Sequence, residues 1–151
     1  MATLGSFASG QVLTAAELNA IGTWQDYTPS FSGISVGNGT LTASYCQINK
    51  FVAWQVELVV GSTTTIGSTR VTYPVEAAQT WLAGNGGQVT CEDANGTDYW
   101  GSLFRFSSTE ATVYVGNASS TYLTFSSLSS SIPFTWASGD RLVIQDFYEA
   151  A

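Results

Sequence analysis

Six carboxylates, Glu57, Glu76, Glu92, Asp93, Asp98 and Glu110, are the groups with which this chain could break a glycosidic bond, and no histidine accompanies them. Glycoside hydrolysis needs two acids held at a set separation, one to donate a proton and one to act as base or nucleophile. No spacing among the six singles out such a pair. They read as solvated faces and turns, and a glycan-cleaving enzyme is the weakest of the functional readings. The lack of histidine also removes the usual general base of serine and cysteine hydrolases and the commonest transition-metal ligand.

Cys46 and Cys91 are the only cysteines, too few without histidine to complete a zinc site. Without an export signal they read as two structural thiols rather than a disulfide. Glu92-Asp93-Ala94-Asn95-Gly96-Thr97-Asp98 gathers oxygen ligands around a glycine, as a calcium loop does, but it lacks the closing glutamate. A plain Asx-Gly turn is the simpler reading. No cofactor is implied. Aromatic residues make up 13% of the chain, enough to fill a core and leave some outside. Trp54 belongs inside. Trp81, Tyr99 and Trp100, beside polar loops, are the candidates for stacking on sugar rings.

The formal charge of −7 leaves Lys50, Arg70, Arg105 and Arg141 as the only basic side chains, and they are scattered. Phosphate recognition needs a basic stripe, so nucleic acid is not an expected partner. An anionic membrane surface is disfavoured for the same reason, and no apolar run reaches the roughly 20 residues of a spanning helix. The N-terminal residues lack the charged and continuous apolar regions of a secretion signal.

Two kinds of element must position these side chains. Residues 1–22 hold the one helix signal. In Thr14-Ala15-Ala16-Glu17 the Thr hydroxyl accepts from the Glu amide while the Glu carboxylate reaches back, and Leu13 and Leu18 make the flanking apolar staple. Gly22 ends it after barely two turns, and so short a helix is unstable alone. Leu4, Phe7, Val12, Leu13, Leu18 and Ile21 must then bury themselves against something, which makes this segment an anchor. From Trp24 the period changes to two, and residues 23–151 read as one all-β domain, an antiparallel sandwich.

Within it, Gly37-Asn38-Gly39 turns the chain into a strand with Leu41, Ala43 and Tyr45 on one face. Asn49-Lys50 reverses it into residues 51–60, where Val52, Trp54, Val56, Leu58 and Val60 share a face. Residues 61–68 read as a Ser/Thr-rich loop. Arg70-Val71-Thr72-Tyr73 stops at Pro74, which predicts a sheet edge there. Further strands are expected over 88–91, 99–106, 111–115, 122–125 and 141–148.

The string Phe7-Ala8-Ser9-Gly10-Gln11-Val12-Leu13-Thr14-Ala15-Ala16-Glu17-Leu18-Asn19, followed by Trp24-Gln25-Asp26-Tyr27-Thr28-Pro29, resembles the start of bacteriophage virion modules in minor tail and tail fibre proteins. Gly37-Asn38-Gly39-Thr40-Leu41, Val71-Thr72-Tyr73-Pro74 and Trp136-Ala137-Ser138-Gly139-Asp140-Arg141-Leu142 look like the same module, whereas 76–128 matches in texture only. The resemblance implies a jelly-roll-like sandwich working as a homotrimer, with no active site. It also implies a place in the virion, with other virion proteins gripping the N-terminal arm and host-surface glycan as a further partner. In tail fibres the module follows a long shaft, whereas Gly10 stands near the first residue here. A capsid decoration protein at three-fold positions is therefore the alternative.

Overall fold

The computed structural model describes residues 10–12, 14–15, 21–78, 85–118 and 121–151. The elements among these residues are β-strands: β1 (Gln25–Asp26), β2 (Ile34–Ser35), β3 (Thr40–Ile48), β4 (Phe51–Val59), β5 (Thr65–Ile66), β6 (Arg70–Thr72), β7 (Asn85–Asp93), β8 (Thr97–Arg105), β9 (Glu110–Asn117), β10 (Thr124–Ser127) and β11 (Arg141–Glu149). The main sheet runs β1-β3-β4-β11-β7-β8-β9 with every pair antiparallel. The far edge of β9 is shared, its first residues pairing with β6 and its last with β10.

Alternation explains the faces. In β4 and β11 every second side chain (Val52, Trp54, Val56 and Leu58; Leu142, Ile144 and Tyr148) is buried. The residues between them point the other way. Val89 and Cys91 of β7, Leu103 of β8 and Ala111, Val113 and Val115 of β9 continue the inward face into the same apolar cluster. The sheet curls back on itself to close that cluster. Tyr73, just past β6, meets the Trp54 ring at 5.5 Å and Tyr148 at 4.7 Å. The Tyr148 hydroxyl donates to the Val75 carbonyl at 2.7 Å, which fixes the β6 end over β4 and β11. Each fully buried Val or Leu in this core stabilises it by roughly 1.5–3 kcal/mol.

Turn chemistry sets the register. Asn49, at φ 54°, joins β3 to β4, and Gly37, at φ 57°, opens β3. Both are residue types that tolerate the left-handed region.

The structure departs from the expected strand pattern in three places. Inside the expected Ser/Thr-rich loop, Thr65–Ile66 pairs with Ile34–Ser35. The Ser/Thr composition hides this two-residue ladder, which buries Ile66. The expected free edge at β6 is covered, because Phe31 bridges Val71, Ser32 N–H donates to the Arg70 carbonyl, and Thr72 N–H donates to the Ser30 carbonyl. Unpaired edge groups find partners when a neighbouring segment can supply them. The strand expected over 122–125 is shifted to Thr124–Ser127, leaving Tyr122 and Leu123 exposed. The helix expected between Thr14 and Gly22, in the N-terminal leader of residues 1–22, lies outside the described residues apart from Thr14, Ala15, Ile21 and Gly22.

Candidate functional site on the outward face of the sheet

The three residues expected to stack on sugar do not form one site. Trp81 lies outside the described residues. Tyr99 and Trp100 are neighbours in β8 and so point to opposite faces. Tyr99, partly buried, turns inward against the Phe134 ring at 5.3 Å. Trp100 turns outward and is 62% exposed. Of the expected anchor residues, Leu4, Phe7, Leu13 and Leu18 lie outside the described residues. Val12 is exposed, and Ile21 lies at the surface just before β1.

Two apolar patches occupy the outward face. The first lies where the leader joins the domain. Gly22 sits close against Ile48 and its carbonyl accepts from the Cys46 thiol at 3.1 Å. Phe51 and Phe147 stack nearby with centroids 6.1 Å apart, and Phe147 is 66% exposed. Ile21 and Trp24, on either side of Gly22, and Ile48, which Gly22 adjoins, are exposed. The second patch spans β8, β9 and β10. Phe104 meets Tyr114 at 4.8 Å and Phe125 at 5.5 Å, and Trp100, Leu123 and Phe125 are exposed beside them. Apolar clusters of this kind on a domain surface mark contact surfaces.

Between the patches the outward face is polar. Arg141 of β11 lies 3.5 Å from Glu57 of β4 and 3.9 Å from Glu92 of β7, half in solvent, where such pairs contribute little stability. A shallow depression of about 270 Å³ lies here, lined by residues that include Ser44, Gln55, Glu57, Arg141 and Gln145.

Glu92-Asp98 spans the β7–β8 hairpin turn. Asp93 Oδ1 accepts from the Asn95 backbone N–H at 2.8 Å and its side-chain amide at 2.9 Å, and Gly96 takes φ 98°. Among the described residues no group of three or more His, Cys, Asp or Glu side chains gathers around a common point. Cys46 and Cys91 are both free and buried. Cys46 stands opposite Ala53 on the outward face, while Cys91 lies in the core, where burial pushes its thiol up to about 12.

The acids with the most structure around them are two that the six carboxylates above do not include. Asp140 is buried and accepts from Ala94 N–H at 2.9 Å and Ala137 N–H at 2.6 Å, tying the β7–β8 turn to the loop before β11. Asp146 occupies an inward position of β11 with 8% exposure. Burial raises its carboxyl to about 6, against the lowering effects of the Phe147 N–H, Trp54 and Arg105. The Trp54 indole N–H approaches without closing a hydrogen bond. The register shift at 85–88 puts Gly86 and Gly87 over this acid, and a Cβ on Gly87 would stand 2.6 Å from that of Asp146. The sequence does carry a signal for Asp146, as an acid in the Leu142, Ile144, Tyr148 register. It carries none for Asp140, because nothing local marks which loop acid folds inward.

Among the described residues no helix is long and apolar enough to cross a membrane. No family model, curated protein or solved structure matches the chain.

Proposed function

We propose that the chain is a non-enzymatic structural protein of a bacteriophage particle: a tail fibre or minor tail component whose jelly-roll-like sandwich faces solvent and whose leader is gripped by neighbouring virion proteins. The observation that carries this reading is the apolar patch of Ile21, Trp24, Ile48, Phe51 and Phe147, which collects where the leader enters the domain and which a lone chain leaves in water. The resemblance of residues 7–19 and 24–29 to phage virion modules supplies the particle. A homotrimer accounts for Leu123 and Phe125 at the β10 end of the second patch, since closed three-fold contacts cover the same surface on every copy and here leave Trp100 of β8 open. Host-surface glycan is the ligand of the exposed polar face, with weak sites raised by three-fold avidity.

The test is incorporation. Particles assembled with the full chain contain it by mass spectrometry, whereas deletion of residues 1–22 leaves a soluble, folded β domain outside the particle. Full incorporation without the leader would overturn attachment through it. A capsid decoration role is separated by where labelled copies sit, on the head rather than the tail.

A further inference from the structure

The register of the outward face lines up a row of side chains that assembly does not use. Ser44 stands opposite Gln55, Gln55 opposite Gln145, Gln145 opposite Gln88, and Gln88 opposite Ser102. Directly opposed residues point the same way, so β3, β4, β11, β7 and β8 each contribute one amide or hydroxyl to a single row. At about 4.8 Å per strand the row runs roughly 19 Å across the sheet.

No member of the row carries charge. The Gln55 amide donates to Ser44 Oγ at 3.2 Å and keeps its carbonyl oxygen free, while the exposed, central Gln145 amide has no hydrogen-bond partner among the described residues. At the far end Trp100 stands opposite Thr90, whose hydroxyl takes a long 3.5 Å hydrogen bond from the Gln88 amide. The 270 Å³ depression touches the row at Ser44, Gln55 and Gln145 and extends beside it to the Glu57–Arg141–Glu92 ion pairs.

We propose that this row is a binding site for an uncharged oligosaccharide, lying across the strands with its hydroxyls on Gln55, Gln145 and Gln88 and one ring against Trp100. Primary amides donate and accept at once, which matches a ligand whose hydroxyls do the same. An exposed indole face suits the apolar face of a sugar ring. Charge complementarity excludes sulfated or phosphorylated glycans, because the nearby cation, Arg141, is already flanked by Glu57 and Glu92. A protein partner is held by buried aromatic and arginine anchors, of which the row itself has none. The inference rests on the host-contact part of the function proposed above and not on attachment to a particle.

The experiment is an array of neutral gluco-, manno-, galacto- and N-acetylglucosamine oligosaccharides beside sialylated and sulfated ones, probed with the full chain and followed by titration of the strongest neutral probe. Binding to a neutral probe is expected. Gln145→Ala should weaken it roughly threefold to tenfold, the loss of one hydrogen bond, and Trp100→Ala by a similar factor. Both side chains are exposed, so the melting temperature stays at the wild-type value and misfolding is not confounded with lost binding. Four results would overturn the site: silence on every neutral probe, binding only to acidic probes, neutral binding indifferent to both variants, or Gln145→Ala changing self-association instead. None of them bears on incorporation into particles, which the deletion experiment reads separately.

Discussion

Replacing Asp146 by asparagine should change the shape of the stability profile against pH. The folded chain holds this carboxyl at about 6, whereas the ordinary aspartate value of 3.8 applies once the chain is unfolded. Between those values the folded state keeps a proton that the unfolded state has released. Stability therefore falls as pH rises from about 4 to about 6, and the loss is complete above that. The gap corresponds to about 3 kcal/mol at 1.36 kcal/mol per tenfold change in proton affinity. The substituted side chain would keep an oxygen to accept the Phe147 N–H, now bound by Asp146 Oδ1 at 2.8 Å, but would carry no charge to desolvate. The new amide has a cost of its own, which is the same at every pH. The decisive quantity is thus the difference between variant and wild type, which should move by about 3 kcal/mol in favour of Asp146→Asn between pH 4 and pH 8. Urea unfolding at a series of pH values measures it, and a chain of this size gives a parallel shift of roughly 2–4 °C in Tm per kcal/mol. A constant difference across that range would refute the burial argument, and a shift of opposite sign would mean that Arg105 outweighs desolvation.

Other substitutions test the frame around the outward face. Asp140→Ala should cost about 2–4 kcal/mol in urea unfolding, because two backbone N–H groups lose their acceptor at once. Gly87→Ala should destabilise by more than about 2 kcal/mol, since its Cβ would meet Asp146 Cβ at 2.6 Å and the Gln145 carbonyl at 2.8 Å. The double substitution Phe51→Ser with Phe147→Ser should leave the free energy of urea unfolding within about 0.5 kcal/mol of wild type while lowering particle incorporation. Sedimentation of the full chain should give three times its 16.0 kDa mass, with Phe125→Ser moving it toward the monomer.

Much of the strand pattern could be read from the residues. Period-two runs such as 51–60 and 141–148 become β4 and β11, and Trp54 is buried as its neighbours require, with 1% exposure. The β3–β4 reversal at Asn49 is equally legible, because few residue types accept its backbone angle. Long-range pairing is less accessible. That β11 lies between β4 and β7, or that residues 30–32 cover β6, depends on contacts between segments far apart in the chain. The short β2–β5 ladder carries too little pattern to stand out from its Ser/Thr loop. Tyr99 and Trp100 show what assigning the faces adds: neighbouring aromatics in a strand point to opposite sides and do not present one surface together. Assigning register across five strands is also what brings Gln55, Gln145 and Gln88 into one row, a relation invisible along the chain.

The most direct test of the proposed virion role is a density map of phage particles assembled in the presence of this chain. The account predicts three copies of the β domain on the outer surface, with each leader running between neighbouring subunits and the patch of Ile48, Phe51 and Phe147 covered. A particle with no density for the chain, or with the domain held by its polar face and the leader free in solvent, would contradict it.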